Sequence, residues 1–252
     1  MDYDLLLTNG MEIGYNLMIS GAEIYRVEES IQRVLQAYGI ENGQVFAIPN
    51  CIITSIVTPW GEPISQVRRI KGEGSVDLDR MEAYNAICRW ICQNTPEPEQ
   101  VRKELRQMVR GRQYEMDWQV AAYCLCGGGS AILWGGSPLD GLGAAACGAA
   151  VWLMLAFLEP LKTNLFFKNV AASGFAALIA VSLIKMGMQI NIDKVIIGTF
   201  MSLVPGLAIT NAVRDIMSGD LMTGLSRLTE SILVAVAIAL GAGVMLWLTM
   251  GV

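Results

Sequence analysis

The chain has 252 residues, a formal net charge of −5, 53% hydrophobic residues and 16% charged residues, whereas a soluble domain carries about 25% charged residues. This composition argues against a single soluble globule, against a disordered chain, which needs low hydrophobicity, and against a nucleic-acid-binding protein, which needs a basic surface. The sequence contains no histidine, which excludes catalysis by an imidazole base and zinc sites with histidine ligands.

The charged residues are concentrated in the first part of the chain. Residues 1–117 contain 29 charged residues with a net charge of −5, and residues 118–252 contain 12 with a net charge of zero. Glycine has the opposite distribution, since 17 of the 26 glycines lie in the second part. The contrast is explained if the first part of the chain lies in water and the second part lies in lipid. The sequence predicts a small cytoplasmic domain over 1–117 and a transmembrane domain over 118–252.

The cytoplasmic domain is predicted to be a mixed α/β unit. Apolar residues at helical spacing predict helices, and segments rich in Val, Ile and Thr predict strands. At about 110 residues the domain is long enough to bury its own core. It contains no Gly-rich phosphate loop, so no nucleotide site is predicted. The elements in chain order are a helix over 11–38, a strand over 44–58, a strand over 64–71, and helices over 77–94 and 96–110.

The six cysteines do not have the pattern of a metal site. Cys88 and Cys92 are one helical turn apart, and Cys124 and Cys126 lie in an apolar stretch, whereas a zinc site needs two such pairs in a polar setting. We interpret the cysteines as small buried residues, and a cytosolic domain disfavours a structural disulfide. The sequence predicts no metal, no cofactor and no catalytic residue.

Five apolar stretches make up the second part of the chain. A bilayer core takes about 20 apolar helical residues, within a range of roughly 17–25, and four of the stretches satisfy this requirement. The third has 16 uncharged residues between Lys168 and Lys185, whose side chains can extend to the interfaces. Buried core helices of a soluble protein are the alternative, and they would need more amphipathic covering than the chain supplies. The predicted spans are residues 118–137, 140–158, 169–186, 194–213 and 229–250.

The cations that flank these spans predict the orientation of the chain. Loops rich in Lys and Arg stay in the cytoplasm, and Lys185 and Lys194 stand alone on the opposite side of the five predicted spans. The N-terminus is therefore expected inside and the C-terminus outside the cytoplasmic membrane. The opening residues lack the features of a signal peptide, which agrees with this orientation. The nine cations on the cytoplasmic side are Arg102, Lys103, Arg106, Arg110, Arg112, Lys162, Lys168, Arg214 and Arg227.

The fourth predicted span contains a proline. Pro205 has no amide proton and clashes with the carbonyl of Met201, so the helix is expected to kink or unwind there, and Gly206 permits an irregular backbone. In lipid, freed backbone groups are tolerated only inside protein or along a cavity. Transporters use such broken helices to bind substrates and ions.

Polar residues follow the proline at helical spacing and form a candidate site. Thr210 and Arg214 share one helix face, and Asn211 and Asp215 share another. Polar groups near membrane depth are costly and are typical of transport or proton relay. Alternatives stay open for three residues, because Asp220 suits a helix N-cap and Arg227 with Glu230 suits an interfacial ion pair. The candidate substrate- or ion-binding residues are Pro205, Gly206, Thr210, Asn211, Arg214, Asp215, Asp220, Arg227 and Glu230.

These residues resemble the signature of the threonine/serine exporter family. The cytoplasmic domain adds a second resemblance in the segment 20–28, with Gly21, Glu23, Arg26 and Glu28, and a third in the segments 67–70 and 76–78. The resemblance implies a membrane exporter of small metabolites, either amino acids such as threonine and serine or a dicarboxylate such as succinate, coupled to an ion or to protons. It covers nearly the whole chain.

The resemblance also implies a partner. Long family members carry a second membrane half, and a chain of this length resembles the larger subunit of a two-subunit type, so a smaller membrane companion and a hetero-oligomer are expected. An odd number of spans and the small-residue pairs Gly127 with Ala131 and Ala144 with Gly148 suggest neighbouring helices. The alternative function is a membrane-anchored sensor or scaffold whose cytoplasmic domain carries the activity, and a membrane enzyme comes third.

Overall fold

The computed structural model describes residues 1–70, 76–108, 114–161 and 163–251, with the side chain of Met250 excepted. Packing divides the chain into two units. The first, called the N-terminal unit below, consists of Met1–Arg112 and Thr210–Arg227. The second, called the helical unit, consists of Gln113–Ile209 and Leu228–Val252. Thr210–Arg227 therefore packs with the N-terminal unit, although the sequence placed it in the transmembrane domain.

The N-terminal unit contains helices and one small antiparallel sheet. The strands are hydrogen-bonded in the order β1-β2-β3, with Ala47 opposite Ile52 and Ile52 opposite Arg68. The mixed α/β character predicted for this part of the chain is confirmed. The elements are α1 Tyr3–Ile19, α2 Ile24–Ala37, β1 Gln44–Ile48, β2 Cys51–Val57, β3 Pro63–Arg69, α3 Leu78–Asn94 and α4 Pro98–Gln107.

The single helix predicted over 11–38 is wrong. The structure has two helices, and the first begins eight residues earlier, at Tyr3. Gly21 has a φ of +86°, its N–H donates to the carbonyl of Met18, and the N–H of Ala22 donates to that of Leu17, which is the Schellman pattern of a helix end. Apolar residues continue at helical spacing on both sides of this turn, so periodicity did not reveal it.

The single strand predicted over 44–58 is also wrong. Pro49 and Asn50 form a two-residue turn between β1 and β2, and Ile48 pairs with Cys51 across it. The later elements follow the prediction closely. Asp77 caps α3 by accepting a hydrogen bond from the N–H of Arg80 at 2.9 Å. The predicted ends at residues 71 and 110 lie outside the described residues.

The core of the N-terminal unit lies between α1, α2, α3 and the sheet. α1 is buried on most of its circumference, while α2 and β2 each bury one face. Burial of such large apolar side chains stabilises each by about 1.5–3 kcal/mol. The largest fully buried side chains are Tyr84, Leu6, Leu7, Ile13, Leu17, Ile24, Ile31, Leu35, Ile52, Ile56, Ile91 and Val27.

The remaining elements are helical. Glu159–Leu161 forms a short 3₁₀ turn. α9 crosses from one unit to the other, because its residues from Thr210 onward pack with the N-terminal unit. The helices are α5 Met116–Leu133, α6 Pro138–Leu158, α7 Leu165–Lys185, α8 Ile192–Phe200, α9 Gly206–Met217 and α10 Leu221–Met250.

Three helices of the described chain are long and apolar enough to cross a membrane. They cover Pro138–Leu161, Leu165–Lys185 and Leu221–Thr249. α6 and α10 expose large apolar side chains such as Leu153, Phe157 and Leu240, as expected for helices in lipid. The first predicted span corresponds to α5, and the fourth is divided between α8 and α9. The structure therefore supports a membrane protein, and it does not by itself establish five spans.

Small residues hold the helices of the helical unit close together. A Cβ atom at Gly148 would lie 2.4 Å from the carbonyl oxygen of Tyr123, and one at Gly127 would lie 2.7 Å from that of Ala144. α7 and α10 approach equally closely, since a Cβ at Gly241 would lie 2.1 Å from the carbonyl oxygen of Val170. Gly127, Ala144 and Gly148 are therefore used within this chain, so they no longer argue for a partner.

Candidate functional site

The helix break predicted at Pro205 is confirmed. α8 ends at Phe200 and α9 begins at Gly206. The carbonyl of Phe200 accepts hydrogen bonds from the N–H groups of Leu203 and Val204, both at 2.9 Å. Pro205 has no N–H with which to continue this pattern. The break therefore separates α8 from α9, and the polar residues of the site lie on α9.

α9 ends in a tight turn that leads directly into α10. Gly219 has a φ of +97°, its N–H donates to the carbonyl of Ile216, and the N–H of Asp220 donates to that of Asp215 at 2.9 Å. This Schellman turn ends α9. Asp220 precedes α10, and its carbonyl accepts from the N–H of Gly224. The turn at Gly219 brings the start of α10 back against α9.

Gly224 allows α9 and α10 to cross closely. A Cβ at this position would lie 2.5 Å from Cγ1 of Ile216 and 2.8 Å from the carbonyl oxygen of Ala212. The close crossing brings Arg227 of α10 back to the middle of α9.

Within the N-terminal unit, this pair of helices packs on the turn between α1 and α2. Arg227 donates from Nη2 to the carbonyl oxygen of Ala22 at 3.0 Å. Asn211 donates from Nδ2 to the carbonyl oxygen of Gly21 at 3.3 Å. Arg214 forms an ion pair with Glu23 through Nη1. We call the group Glu23, Asn211, Arg214, Asp215 and Arg227 the corner cluster.

Asp215 is the most buried acid of the corner cluster. Its side chain has no exposed surface, and Oδ2 accepts from Nη1 of Arg227 at 3.0 Å. Oδ1 has no hydrogen-bond partner within the described part of the chain. Burial raises the pKa of Asp215, the positive charge of Arg227 opposes this effect, and the negative charges of Asp220 and Glu23 add to it. The site therefore holds a carboxylate that is easier to protonate than an exposed one.

Glu23 forms ion pairs with two arginines, Arg214 of the corner cluster and Arg26 of α2. Its side chain is 10% exposed and also lies 2.9 Å from Nε of Arg26. The side chain of Arg214 is half exposed, so its guanidinium remains reachable from solvent. The guanidinium of Arg214 thus contacts the internal carboxylate of Glu23, while half of the Arg214 side chain stays exposed.

Glu28 has a different role from the other members of its motif. Its Oε1 accepts from the backbone N–H of Ala47 at 2.7 Å, which ties α2 to the sheet. Burial raises the pKa of Glu28, although the hydrogen bond from Ala47 lowers it. Glu28 therefore links α2 to β1.

The structure does not bring every predicted site residue together. Pro205 and Gly206 belong to the helical unit, where they break the helix, and Glu230 is exposed and also belongs to that unit. Thr210 lies one turn before Arg214 on α9. The sequence did not reveal the carbonyls of Gly21 and Ala22 as acceptors, because any residue has a carbonyl. Charge complementarity between Glu23 and Arg214 was the available signal.

The site holds no recognisable metal centre within the described ranges, where His, Cys, Asp and Glu form no group of three or more that could hold a metal ion. Hydrogen bonds and ion pairs are what the corner cluster offers a ligand.

Comparison with known proteins identifies the family. The family model described as "Putative threonine/serine exporter" matches residues 10–249. The chain belongs to the threonine/serine exporter family. This confirms the resemblance of the sequence motifs, and the family is one of membrane transporters. No solved structure matches the chain.

Two curated proteins are similar to the chain over most of its length. The chain is 23% identical over 230 residues to the "Probable threonine/serine exporter" of Mycobacterium tuberculosis, which covers 89% of this chain and 42% of that protein. It is 25% identical over 238 residues to the "Threonine/serine exporter" of Corynebacterium glutamicum, which covers 92% of this chain and 48% of that protein. The chain therefore spans less than half the length of these relatives.

Proposed function

We propose that this chain is a subunit of a membrane exporter for small metabolites, either amino acids such as threonine and serine or a dicarboxylate such as succinate. Membership of the threonine/serine exporter family supports export. The observation that carries the assignment of a site is the ion pair of the fully buried Asp215 with the largely buried Arg227, beside the half-exposed Arg214. Buried titratable groups with perturbed pKa values are concentrated at functional sites.

Arg214 is the proposed carboxylate-binding group. A guanidinium binds carboxylates with paired, charge-assisted hydrogen bonds, and threonine, serine and succinate all carry a carboxylate. In the structure this position is taken by the carboxylate of Glu23. A substrate carboxylate would replace Glu23 on the guanidinium of Arg214.

Asp215 is the proposed site of the coupling ion or proton. Its Oδ1 has no hydrogen-bond partner within the described part of the chain, and its raised pKa favours proton uptake. Protonation of Asp215 would weaken its attraction to Arg227 and release Arg227 from one of its partners. Because Arg227 also holds the carbonyl of Ala22, proton uptake at Asp215 would loosen the turn that carries Glu23.

The membrane arrangement is part of the proposal. Nine of the eleven flanking cations lie on the side of the N-terminal domain if five spans are present, which supports a cytoplasmic N-terminus and an external C-terminus in the cytoplasmic membrane. Three of them, Arg110, Arg112 and Lys162, lie outside the described residues.

A smaller membrane companion is proposed to complete the transporter. The chain matches less than half the length of the curated relatives, and in this proposal a companion in a hetero-oligomer contributes further membrane helices. Reconstitution of the chain with and without the companion tests this point. Efflux by the chain alone at the rate of the pair would contradict it.

The sensor or scaffold alternative has one observation in its favour. The N-terminal unit has its own extensive core, which a transporter subunit does not strictly need. In a sensor, substitutions in the corner cluster would leave metabolite flux unchanged.

Efflux from vesicles loaded with labelled threonine, serine or succinate tests the proposed site. We expect Arg214→Gln to abolish efflux with near-normal abundance in the membrane, because the side chain is half exposed and its loss leaves no buried charge. Asp215→Asn keeps an acceptor for Arg227 and is expected to abolish efflux as well. Arg33→Gln is the matched control, since Arg33 forms an exposed ion pair with Glu29. Normal efflux by both corner-cluster variants would refute the site.

A further inference from the structure

A second polar cluster lies in the N-terminal unit, between α1, β3 and α3, and the proposed export function does not use it. Glu12, Asn16 and Ser20 follow one another at four-residue spacing along one face of α1. Arg80 and Tyr84 are four residues apart on α3, and Arg68 comes from β3. We call these six residues the donor cluster.

The acceptors of the donor cluster are already engaged. Oε2 of Glu12 lies 2.5 Å from Nη1 of Arg68, and Oε1 of Glu12 accepts from Nδ2 of Asn16 at 3.0 Å. The side-chain oxygen of Asn16 in turn accepts from Nη2 of Arg80. The guanidinium of Arg68 also lies 4.1 Å from the ring centre of Tyr15, which holds it in place.

Three donors of the cluster have no hydrogen-bond partner among the described residues. Nε of Arg80, the hydroxyl of Tyr84 and the hydroxyl of Ser20 are buried, and none of them has a hydrogen bond within the described residues. Tyr84 as a whole has no exposed surface. A buried donor without an acceptor costs free energy, and the guanidinium of Arg80 lies 6.0 Å from the ring centre of Tyr84, so these two donors indicate a site that lacks an acceptor.

The charges of the donor cluster also favour a ligand that accepts hydrogen bonds. Arg68 and Arg80 carry two positive charges, and Glu12 carries one negative charge, so the cluster has one excess positive charge. Burial raises the pKa of Tyr84, although the nearby cations Arg80 and Arg68 oppose this effect. The tyrosine is therefore a neutral donor. A ligand that completes the cluster must be an acceptor, and the two guanidinium groups favour an anion.

We propose that the donor cluster binds a small oxyanion, either a carboxylate or a phosphate, between Arg80, Tyr84 and Arg68. The side chains of Glu12 and Arg68 are each one-third exposed, so the ligand approaches past them. Its oxygens accept from Nε of Arg80 and from the hydroxyl of Tyr84. This site is separate from Arg214, and it gives the N-terminal unit a ligand of its own.

Thermal unfolding of the purified full chain in detergent tests this proposal. Phosphate, succinate and threonine are compared with chloride at equal ionic strength. We expect phosphate or at least one carboxylate to raise the midpoint above its value in chloride, because a ligand that binds the folded state stabilises it. A gain with phosphate alone and a gain with carboxylates alone both support the site and identify its ligand. No gain with any of the three would overturn the proposal.

Substitutions locate the binding. Tyr84→Phe removes an unpartnered hydroxyl, so the midpoint in chloride should be unchanged or higher, while the affinity for the oxyanion falls about tenfold with the loss of one hydrogen bond to a charged group. Arg80→Gln should remove the gain altogether. Tyr38→Phe is the matched control, because the hydroxyl of Tyr38 already donates to the carbonyl of Pro96.

Arg214→Gln separates this inference from the proposed function. That variant should lose efflux, and the oxyanion should still raise its thermal unfolding midpoint. If it loses the gain, or if Tyr84→Phe and Arg80→Gln both keep it, the anion binds elsewhere and the donor cluster is not its site.

Discussion

Nη1 of Arg227 lies 3.0 Å from Oδ2 of Asp215, and this carboxylate has no exposed surface. The same guanidinium donates to the carbonyl of Ala22. One side chain of α10 thus neutralises the buried acid of α9 and holds the turn between α1 and α2. The corner cluster depends on Arg227 more than on any other residue.

Removal of Arg227 should therefore destabilise the N-terminal unit strongly. Arg227→Leu leaves Asp215 charged and unpaired in a buried position, which costs about 3–5 kcal/mol of unfolding free energy. Arg33→Gln breaks an exposed ion pair and should cost about 0–1 kcal/mol. Chemical unfolding of the purified chain, followed by tryptophan fluorescence, measures both. Equal losses for the two variants would show that the Asp215–Arg227 pair is not buried in solution.

The loss of unfolding free energy caused by Arg227→Leu should depend on pH. Without Arg227, burial and the negative charges of Asp220 and Glu23 raise the pKa of Asp215 further above that of the unfolded chain. The folded variant then holds a proton that the unfolded chain has lost, so its stability is greatest below the unfolded pKa and falls as pH rises through the folded pKa.

The unfolding free energy of Arg227→Leu relative to the native chain, measured from acid to neutral pH, checks this dependence. The double variant Asp215→Asn, Arg227→Leu should lose it, because the titrating carboxylate is gone. A double variant that keeps the full slope would assign the dependence to another acid, such as Glu23 or Asp220.

Gly21 should be intolerant of a side chain. Its φ of +86° is costly for other residues, and a Cβ would lie 3.2 Å from Cγ2 of Val76. Gly21→Ala should therefore cost about 1–2 kcal/mol of stability and reduce efflux, because the carbonyl of Gly21 accepts from Asn211. Gly39→Ala is the matched control, with a φ of +81° and no atom near its Cβ. If Gly39→Ala reduces efflux equally, general strain explains both results.

The proposed orientation can be tested with single cysteines in a chain whose six native cysteines are replaced. Leu139 and Gln189 are exposed and lie in the predicted external loops, so cysteines there should react with an impermeant thiol reagent from outside intact cells. Leu161 and Met222 are exposed in the predicted cytoplasmic loops and should react only after permeabilisation. Labelling in the reverse pattern would overturn the orientation.

Local features of the structure were predictable because they depend on nearby residues. The membrane character of the second part follows from its apolar composition, whatever its packing. The break at Pro205 follows from one missing N–H, and the helix end at Gly219 from one residue that accepts a positive φ. The cap of α3 by Asp77 is equally local, since its hydrogen bond spans three residues.

The helix break at Gly21 was not predictable from periodicity. Ile13, Leu17, Ile24 and Val27 all enter one core, so the apolar spacing continues through the turn. The charge pattern placed Thr210–Arg227 with the membrane helices, because it follows them in the chain, whereas its packing places it with the N-terminal unit.

The sequence by itself determined that this protein belongs in a membrane, where its helix breaks, and which polar residues are candidates for a site. Only the tertiary structure decided their partners. Glu23 and Arg214 are separated by 191 residues, and Ala22 and Arg227 by 205. Many acids and arginines of this chain could pair by charge alone. The turn at Gly21 and the close crossing of α9 and α10 at Gly224 select these pairs. Together they bring the residues after Gly21 within hydrogen-bond distance of Arg214 and Arg227.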